Sequence, residues 1–315
     1  MRIISVNSSW YCSFSPRFAQ FEVRLILKDK RQEEKMNNQT QTFVSVVMAT
    51  HNHESYLSES IQSVLSQTHT NFELIIVNDN STDATAEIIR RFAKDDQRIV
   101  CITNDQNLRQ SDSRNRAIRA ARGEYIAIVD SDDISLPDRF AKQLAYFSVH
   151  PDCDVLGSAF CLFFDAKIDD CKSVITGNID DIYDGKPLVH CPTCMMKRSI
   201  FSTYGFFNSK YDDAEDYELW SRWFSQGVKF NNISEVLYKK RIHEGCVSLS
   251  KMKHQMFLML KINLIALLKY RRHFTKAGYS RTLAQLLRLV YLSLRLDTIF
   301  RRSSAFDRMQ KERSN

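Results

Sequence analysis

The stretch IAIVDSDDISLPDR, Ile126 to Arg139, ends an apolar run in three aspartates, Asp130, Asp132 and Asp133, with Asp138 close behind. Carboxylates this close repel one another, and beside a hydrophobic strand the repulsion is costly unless positive charge sits among them. A divalent cation is the simplest such charge, because hard cations take carboxylate oxygens as ligands. Two further polar loops follow apolar runs: THNHES after Ala49 and NDNSTD after Val77. The acids Glu215 and Asp216 open the amphipathic stretch AEDYELWSRWFSQG, where a carboxylate can accept a proton. His243 in RIHEG offers an imidazole. Each residue also has a purely structural role open to it. Asp79 and Asp83 suit turns and helix caps, Glu215 and Asp216 suit a first helical turn, and His243 suits an ordinary surface position.

The elements that must position these loops are legible from periodicity. FVSVVMA, FELIIVN, RIVCIT and EYIAIV read as strands. Between them lie helical stretches, with Leu57, Ile61, Val64 and Leu65 forming one apolar face, Ile88, Ile89 and Phe92 a second, and Phe140, Leu144 and Phe147 another. Gly123 is expected to stop the helix through SDSRNRAIRAA as a left-handed cap. Continuous apolar strands alternating with amphipathic helices imply a Rossmann-like α/β domain whose mostly parallel sheet is covered on both faces. In such sheets ligands sit beyond the carboxyl ends of the strands, which gathers the three polar loops at one edge. After Pro151 the texture changes. CDVLGSAFCLFF, KSVITG, PTCMMK and SEVLYKKRIHEG predict a smaller, mixed-sheet extension, and Gly227 is the expected C-cap of the Glu215 helix.

Taken in order, VSVVMATHN, SVLSQTHTNFELIIVNDNSTDATAEII, SRNRAI, ARGEYIAIVDSDDISLPDRFAKQL, AEDYELW and YKKRIHEGCVSLS resemble glycosyltransferase family 2 over about residues 43–250. The resemblance implies a GT-A fold and inverting transfer of a sugar from a nucleotide donor, UDP above all. The acceptor it implies is a saccharide or polyprenyl-linked saccharide in cell-surface polysaccharide synthesis. It implies Mn²⁺ or Mg²⁺ as cofactor, with Asp132 and His243 as ligands and Asp130 near ribose and metal. Asp79 matches the residue that pairs with the uracil ring, Thr50 and His51 the loop against base and ribose, and Arg114 a basic residue near the diphosphate. Asp216 matches the catalytic base, with Glu215 beside it. The chain departs from the family pattern in four places, the first being Asn78, where a second aspartate is common. Asn80 stands where glycine is usual, His51 where an aromatic is commoner, and Arg109 in a run that is normally small and glycine-containing.

Composition sets the remaining bounds. The chain has 315 residues, 43% of them hydrophobic, with only 8 Gly and 5 Pro, which gives ample core and excludes low-complexity architectures. Four segments are expected: an N-terminal extension over 1–35 outside the folded domain, a nucleotide-sugar region over 36–150, an acceptor and catalytic-base region over 151–250, and a basic helical segment over 251–315. That last segment carries 15 Lys+Arg against 3 acids, whereas the whole chain is only +7. Such a tail suits an anionic partner, or else a solvated helical face. No aromatic-interleaved basic sheet or recognition-helix pattern supports nucleic acid, so peripheral contact with a membrane is the partner weighed against the solvated face. No run is long enough to cross a bilayer, and a cytoplasmic location is expected. The eight cysteines at irregular spacing, including the lone pair in CPTC, read as free thiols. Two rival functions fit the sequence less well. A nucleotidyltransferase-like enzyme needs a glycine-rich phosphate loop that THNHES lacks, and a non-catalytic nucleotide-sugar binder has no need of both Asp132 and Asp216.

Overall fold

A computed structural model of the chain describes residues 42–164, 167–174, 189–243 and 252–269, with Leu283 and Leu287 beyond them. The chain divides into two units, Met1–Thr42 and Phe43–Asn315, and the elements below belong to the second. The expected extension over 1–35 and most of the expected basic helical segment beyond residue 269 lie outside the described residues.

Strands β1 (Val44–Thr50), β2 (Phe72–Asn78), β3 (Ile99–Thr103) and β4 (Tyr125–Ile128) run parallel in the order β3-β2-β1-β4. The connecting helices are α1 (Leu57–Leu65), α2 (Thr85–Asp95) and α3 (Arg109–Ala120), and α4 (Arg139–Val149) follows β4. The period-2 alternation of a strand divides its side chains between two cores. Val44, Val46 and Met48 of β1 pack with Leu57, Ile61, Val64, Phe140 and Leu144 on one face. Val47, with Ile75, Val77, Ile126 and Ile128, packs on the other against Ala117, Ile118 and Trp220. Burial on both faces is why these strands read as mostly apolar runs rather than alternating ones.

The sheet continues from β4 through the mixed half. It comprises β5 (Ile134–Ser135), β6 (Val155–Phe164), β7 (Lys167–Val174), β8 (Met195–Lys197) and β9 (Phe230–Ile242), in the order β4-β8-β6-β9-β5 with β7 paired to β6. β8 is antiparallel to β4 and to β6, whereas β9 is parallel to β6 and antiparallel to β5. Helices α5 (Ser199–Tyr204) and α6 (Glu215–Ser225) lie between β8 and β9, and α7 (Met252–Lys269) follows β9. This is the α/β arrangement, a parallel half extended by a smaller mixed half, that the periodicity predicts. α7 docks through Leu258, Ile262 and Ala266, and Tyr217 Oη donates to Asn263 Oδ1 at 2.8 Å. Its outer face leaves Phe257, Leu264 and Ile265 exposed. Among the described residues no helix is long and apolar enough to cross a membrane.

Two expectations need correction. Gly123 does not end its helix in left-handed backbone; the only glycines among the described residues with positive φ are Gly205 and Gly227. Gly123 is required by close approach instead, since a Cβ there lies 2.5 Å from the Ser45 nitrogen and 2.8 Å from the Phe43 carbonyl. Gly227, at φ +91°, does close α6 as expected. Free thiols stand at Cys101, Cys153, Cys191 and Cys194, but Cys161 on β6 is disulfide-bonded. The irregular cysteine spacing carried no sign of that bond.

Candidate active site

The loops after β1, β2 and β4 meet at the carboxyl edge of the sheet and hold one another. Asp79 N donates to Thr50 O at 2.8 Å, and His51 Nδ1 lies 2.7 Å from Asp79 O. The Asp79 carboxylate is buried, and its Oδ1 accepts from Asn104 Nδ2 and from Leu108 N, each at 2.7 Å. Asn52 and Asn80 both take left-handed backbone, at φ 54° and 55°. Asparagine tolerates that conformation better than other side-chain-bearing residues, so Asn80 keeps the turn where the resembled family has glycine. Thr50 is buried with no hydrogen-bond partner for its Oγ1 among the described residues.

The acidic loop after β4 brings ligand oxygens of Asp130, Asp132 and Asp133 within 4.8 Å of one another, the one such metal-capable group among the described residues. The three carboxyls differ in their surroundings. Asp130 Oδ1 accepts from Arg114 at 2.7 Å, and Asp130 N donates to Tyr238 Oη at 3.1 Å. Asp132 Oδ2 lies 2.9 Å from His243 Nε2. Burial alone raises the Asp132 pKa, but the His243 hydrogen bond and the nearby imidazole of His53 hold it below the ordinary aspartate value. Asp133 is buried, with Oδ1 taken by the backbone N–H of Arg241 at 2.8 Å; burial and its two acidic neighbours push it well up. Two outward carboxylates and an adjacent imidazole make a donor set that suits a hard or borderline divalent cation.

Arg114, on α3, joins this loop to α6. One terminal nitrogen reaches Asp130 and the other reaches Glu215 Oε1 at 3.0 Å. Burial works against the charge, but Cys191, Asp130 and Glu215 more than offset it, and the guanidinium is held above the usual arginine range. Burial pushes Glu215 up to about 7, with Arg114 restraining the rise and Asp216 adding to it. Asp216 is partly buried and is also raised by burial, again restrained by Arg114. Arg109 proves to be more than added bulk. At φ 65° it occupies the left-handed backbone that glycine favours, and its guanidinium reaches Asp212 at 3.6 Å and Asp213 at 3.3 Å, directly ahead of α6.

Every residue expected at the site therefore lies on one of these mutually bonded segments. Four supporting residues were not expected. His53 Nδ1 lies 2.6 Å from Ser131 Oγ inside the acidic loop, and its ring meets that of His243 edge-on at 6.4 Å. Arg241 Nε donates to Asp132 O at 2.8 Å, and its guanidinium also pairs with Glu59. Asn104 fixes Asp79, and Tyr238 fixes Asp130. In the sequence only proximity marks them: His53 lies two residues after His51, and Arg241 two before His243.

The model of glycosyl transferase family 2 matches residues 45–205, which hold the three loops and the acidic cluster. The chain belongs to glycosyltransferase family 2. This glycosyltransferase is 39% identical over 228 residues to an uncharacterized glycosyltransferase of Methanocaldococcus jannaschii, covering 67% of this chain and 75% of that one. It is 33% identical over 217 residues to the UDP-Glc:alpha-D-GlcNAc-diphosphoundecaprenol beta-1,3-glucosyltransferase WfaP of Escherichia coli, covering 67% and 81% of the two chains. Among solved structures it resembles S. aureus TarS 1-349 in complex with UDP-GlcNAc, with a TM-score of 0.64 at 20% identity over 85% of this chain and 77% of that one. At that identity the likeness speaks for the fold, and the GT-A architecture of this glycosyltransferase is shared.

Proposed function

We propose that this glycosyltransferase moves a sugar from a UDP-sugar to a saccharide on a lipid-linked acceptor, with inversion at the anomeric carbon, in the building of a cell-surface polysaccharide. The observation that carries the reading is Arg114, which bridges Asp130 of the acidic loop and Glu215 of α6. One buried side chain thereby sets the donor's diphosphate end against the helix that bears the base. The relatedness to WfaP supports both the UDP donor and the lipid-linked acceptor.

In this reading the free edge of the Asp79 carboxyl pairs with the uracil, and Thr50 and His51 close over base and ribose. The buried, partnerless Thr50 Oγ1 fits a ligand hydroxyl or ring atom arriving there. Asp132 and His243 would hold Mn²⁺ or Mg²⁺, with Asp130 alongside. When bound, that ion neutralises the charge that develops on the departing diphosphate. Asp216 accepts the proton of the acceptor hydroxyl, whose oxygen bonds to the anomeric carbon as the sugar's bond to the diphosphate breaks and its electron pair leaves with UDP. Glu215, fixed by Arg114, holds the start of α6 in place.

The basic segment over 251–315 is proposed to rest peripherally on the cytoplasmic membrane surface. The exposed Phe257, Leu264 and Ile265 lie on one side of α7 with Lys261 among them, a pairing of apolar face and cation that suits an anionic interface. Co-sedimentation with anionic and neutral vesicles tests this. Binding that needs anionic lipid, weakens with salt and is lost on truncation after Ser250 supports it, and equal partitioning of both proteins refutes it.

The activity itself is tested by measuring UDP release from a panel of UDP-sugars with and without Mn²⁺. Metal-dependent release from one or a few of them is the expected result. Failure of every UDP-sugar, with release from a different nucleotide sugar, overturns the donor assignment.

A further inference from the structure

His190 feels the charge of Arg114 yet takes no part in the scheme above. It precedes the short 3₁₀ turn Cys191–Thr193, and this segment is pinned from several sides. Its carbonyl accepts from Thr193 N at 2.9 Å and Thr193 Oγ1 at 2.7 Å. Gln143 Nε2 donates to Thr193 O at 2.9 Å. Arg139 and Ile128 N both donate to Cys194 O, at 3.1 and 3.0 Å, and Ile128 lies two residues before Asp130. The backbone at His190 is thus held at the carboxyl end of β4, beside the acidic loop.

The imidazole stacks on Phe160 of β6, with ring centroids 4.2 Å apart and planes 24° from parallel. Its Nε2 is buried and has no hydrogen-bond partner among the described residues. Burial, together with the positive charges of Lys240, Arg114 and Arg139, pushes its pKa well down, so the ring is neutral. The same neighbourhood reaches the reacting groups: the adjacent Cys191 feels Arg114, Asp216 and Asp130. A buried polar atom without a partner costs stability and calls for an explanation, and a ligand group that completes it is one such explanation.

The chemistry of the missing partner follows from these surroundings. A cation is disfavoured by the three nearby positive side chains. A neutral imidazole has one donor and one acceptor nitrogen, and a hydroxyl matches either because it both donates and accepts. We propose that His190 reads the sugar: its Nε2 hydrogen-bonds a hydroxyl of the saccharide engaged in transfer and so helps decide which sugar is accepted. The proposal rests on the reading of this chain as a UDP-sugar transferase. Donor and acceptor sugars share the chemistry, and the experiment separates them.

Two variants test it: His190→Phe keeps an aromatic ring on Phe160 without polar atoms, and His190→Gln restores a donor and an acceptor. Each is compared with wild type in thermal midpoint, in calorimetric affinity for UDP and for UDP-glucose, UDP-galactose and UDP-GlcNAc with Mn²⁺, and in UDP release into water and onto p-nitrophenyl glycosides. His190→Phe is expected to hold or raise the midpoint, because it removes an unsatisfied buried atom, and to leave UDP affinity unchanged. It should lose about ten- to a hundredfold in kcat/KM for the preferred sugar, with His190→Gln recovering part of the loss. A loss in UDP-sugar affinity and in release into water assigns the hydroxyl to the donor. A loss seen only with glycosides, donor affinity being intact, assigns it to the acceptor. A lowered midpoint with unchanged affinity and turnover makes His190 structural and overturns the proposal, as does sugar selectivity identical in all three proteins. Absence of UDP binding by the wild type is a separate result, and it strikes the donor assignment rather than His190.

Discussion

His243 Nε2 lies 2.9 Å from Asp132 Oδ2, although the two residues are 111 positions apart in the chain. The pair joins the residue just after β9 to the acidic loop after β4, and it is the pair proposed to hold the metal. Asp132→Ala is expected to abolish metal-dependent UDP binding. His243→Ala should weaken Mn²⁺ by at least about tenfold and reduce the preference for Mn²⁺ over Mg²⁺, since imidazole favours the transition metal. Calorimetry of UDP with each metal checks both, and an unchanged affinity for either variant removes that residue from the metal site.

Asp216→Asn should leave UDP affinity nearly intact while transfer falls by roughly 10²–10⁴, the loss expected of a missing general base. Binding and turnover measured on the same preparation separate the two effects. Normal turnover places the base elsewhere.

Burial pushes Glu215 up to about 7 and raises Asp216. A base works ionised, so transfer should rise with pH through these raised values and be lost as pH falls through them. The acid limb of kcat/KM is expected above the ordinary aspartate pKa of about 3.9. Stability runs the other way. The Glu215 contribution is fully present below its usual 4.5 and is lost as pH rises through about 7. Thermal midpoints of wild type and Glu215→Gln between pH 5 and 8 test this, and the variant should show the flatter profile.

Gly123→Ala places a Cβ 2.5 Å from the Ser45 nitrogen, and backbone cannot give way as a flexible side-chain end can. A destabilisation of at least about 1–3 kcal/mol is expected by chemical denaturation. A neutral substitution would falsify the close-approach account of this glycine.

The parallel half of the fold was legible because burial on both faces leaves a direct mark: β1 and β2 are mostly apolar, with only Ser45, Thr50, Glu73 and Asn78 as polar members, and α1 repeats at helical spacing. The loops that follow them were legible for the same reason, since a parallel sheet fixes which ends carry ligands. The mixed half left weaker traces. β8 has three residues and β5 only two, too short for any period to show. Arg241, Tyr238 and His53 support the acidic loop through contacts with residues more than seventy positions away, and no local pattern records such partners. Gly123 was recognised as significant but for the wrong reason, because sequence cannot tell a positive φ from a crowded Cα. His190 escaped notice altogether, since an unsatisfied nitrogen is visible only once its surroundings are known.

The parallel pairing of β6 with β9 also bears on how the enzyme is made. Asp130, Asp132 and Asp133 are synthesised early, but the groups that surround them from β9 and just beyond it, Tyr238, Arg241 and His243, arrive 108 to 111 residues later. A chain still emerging from the ribosome has the strands and loops for the nucleotide end, with its acidic loop uncompensated from that side. Folding of the first half therefore precedes competence. If the proposed site is right, binding of metal and donor is expected to await the closing of β9 onto β6, a contact between distant segments of the kind that forms slowly. A polypeptide interrupted before residue 243 should accordingly lack metal-dependent nucleotide binding even where its parallel sheet has formed.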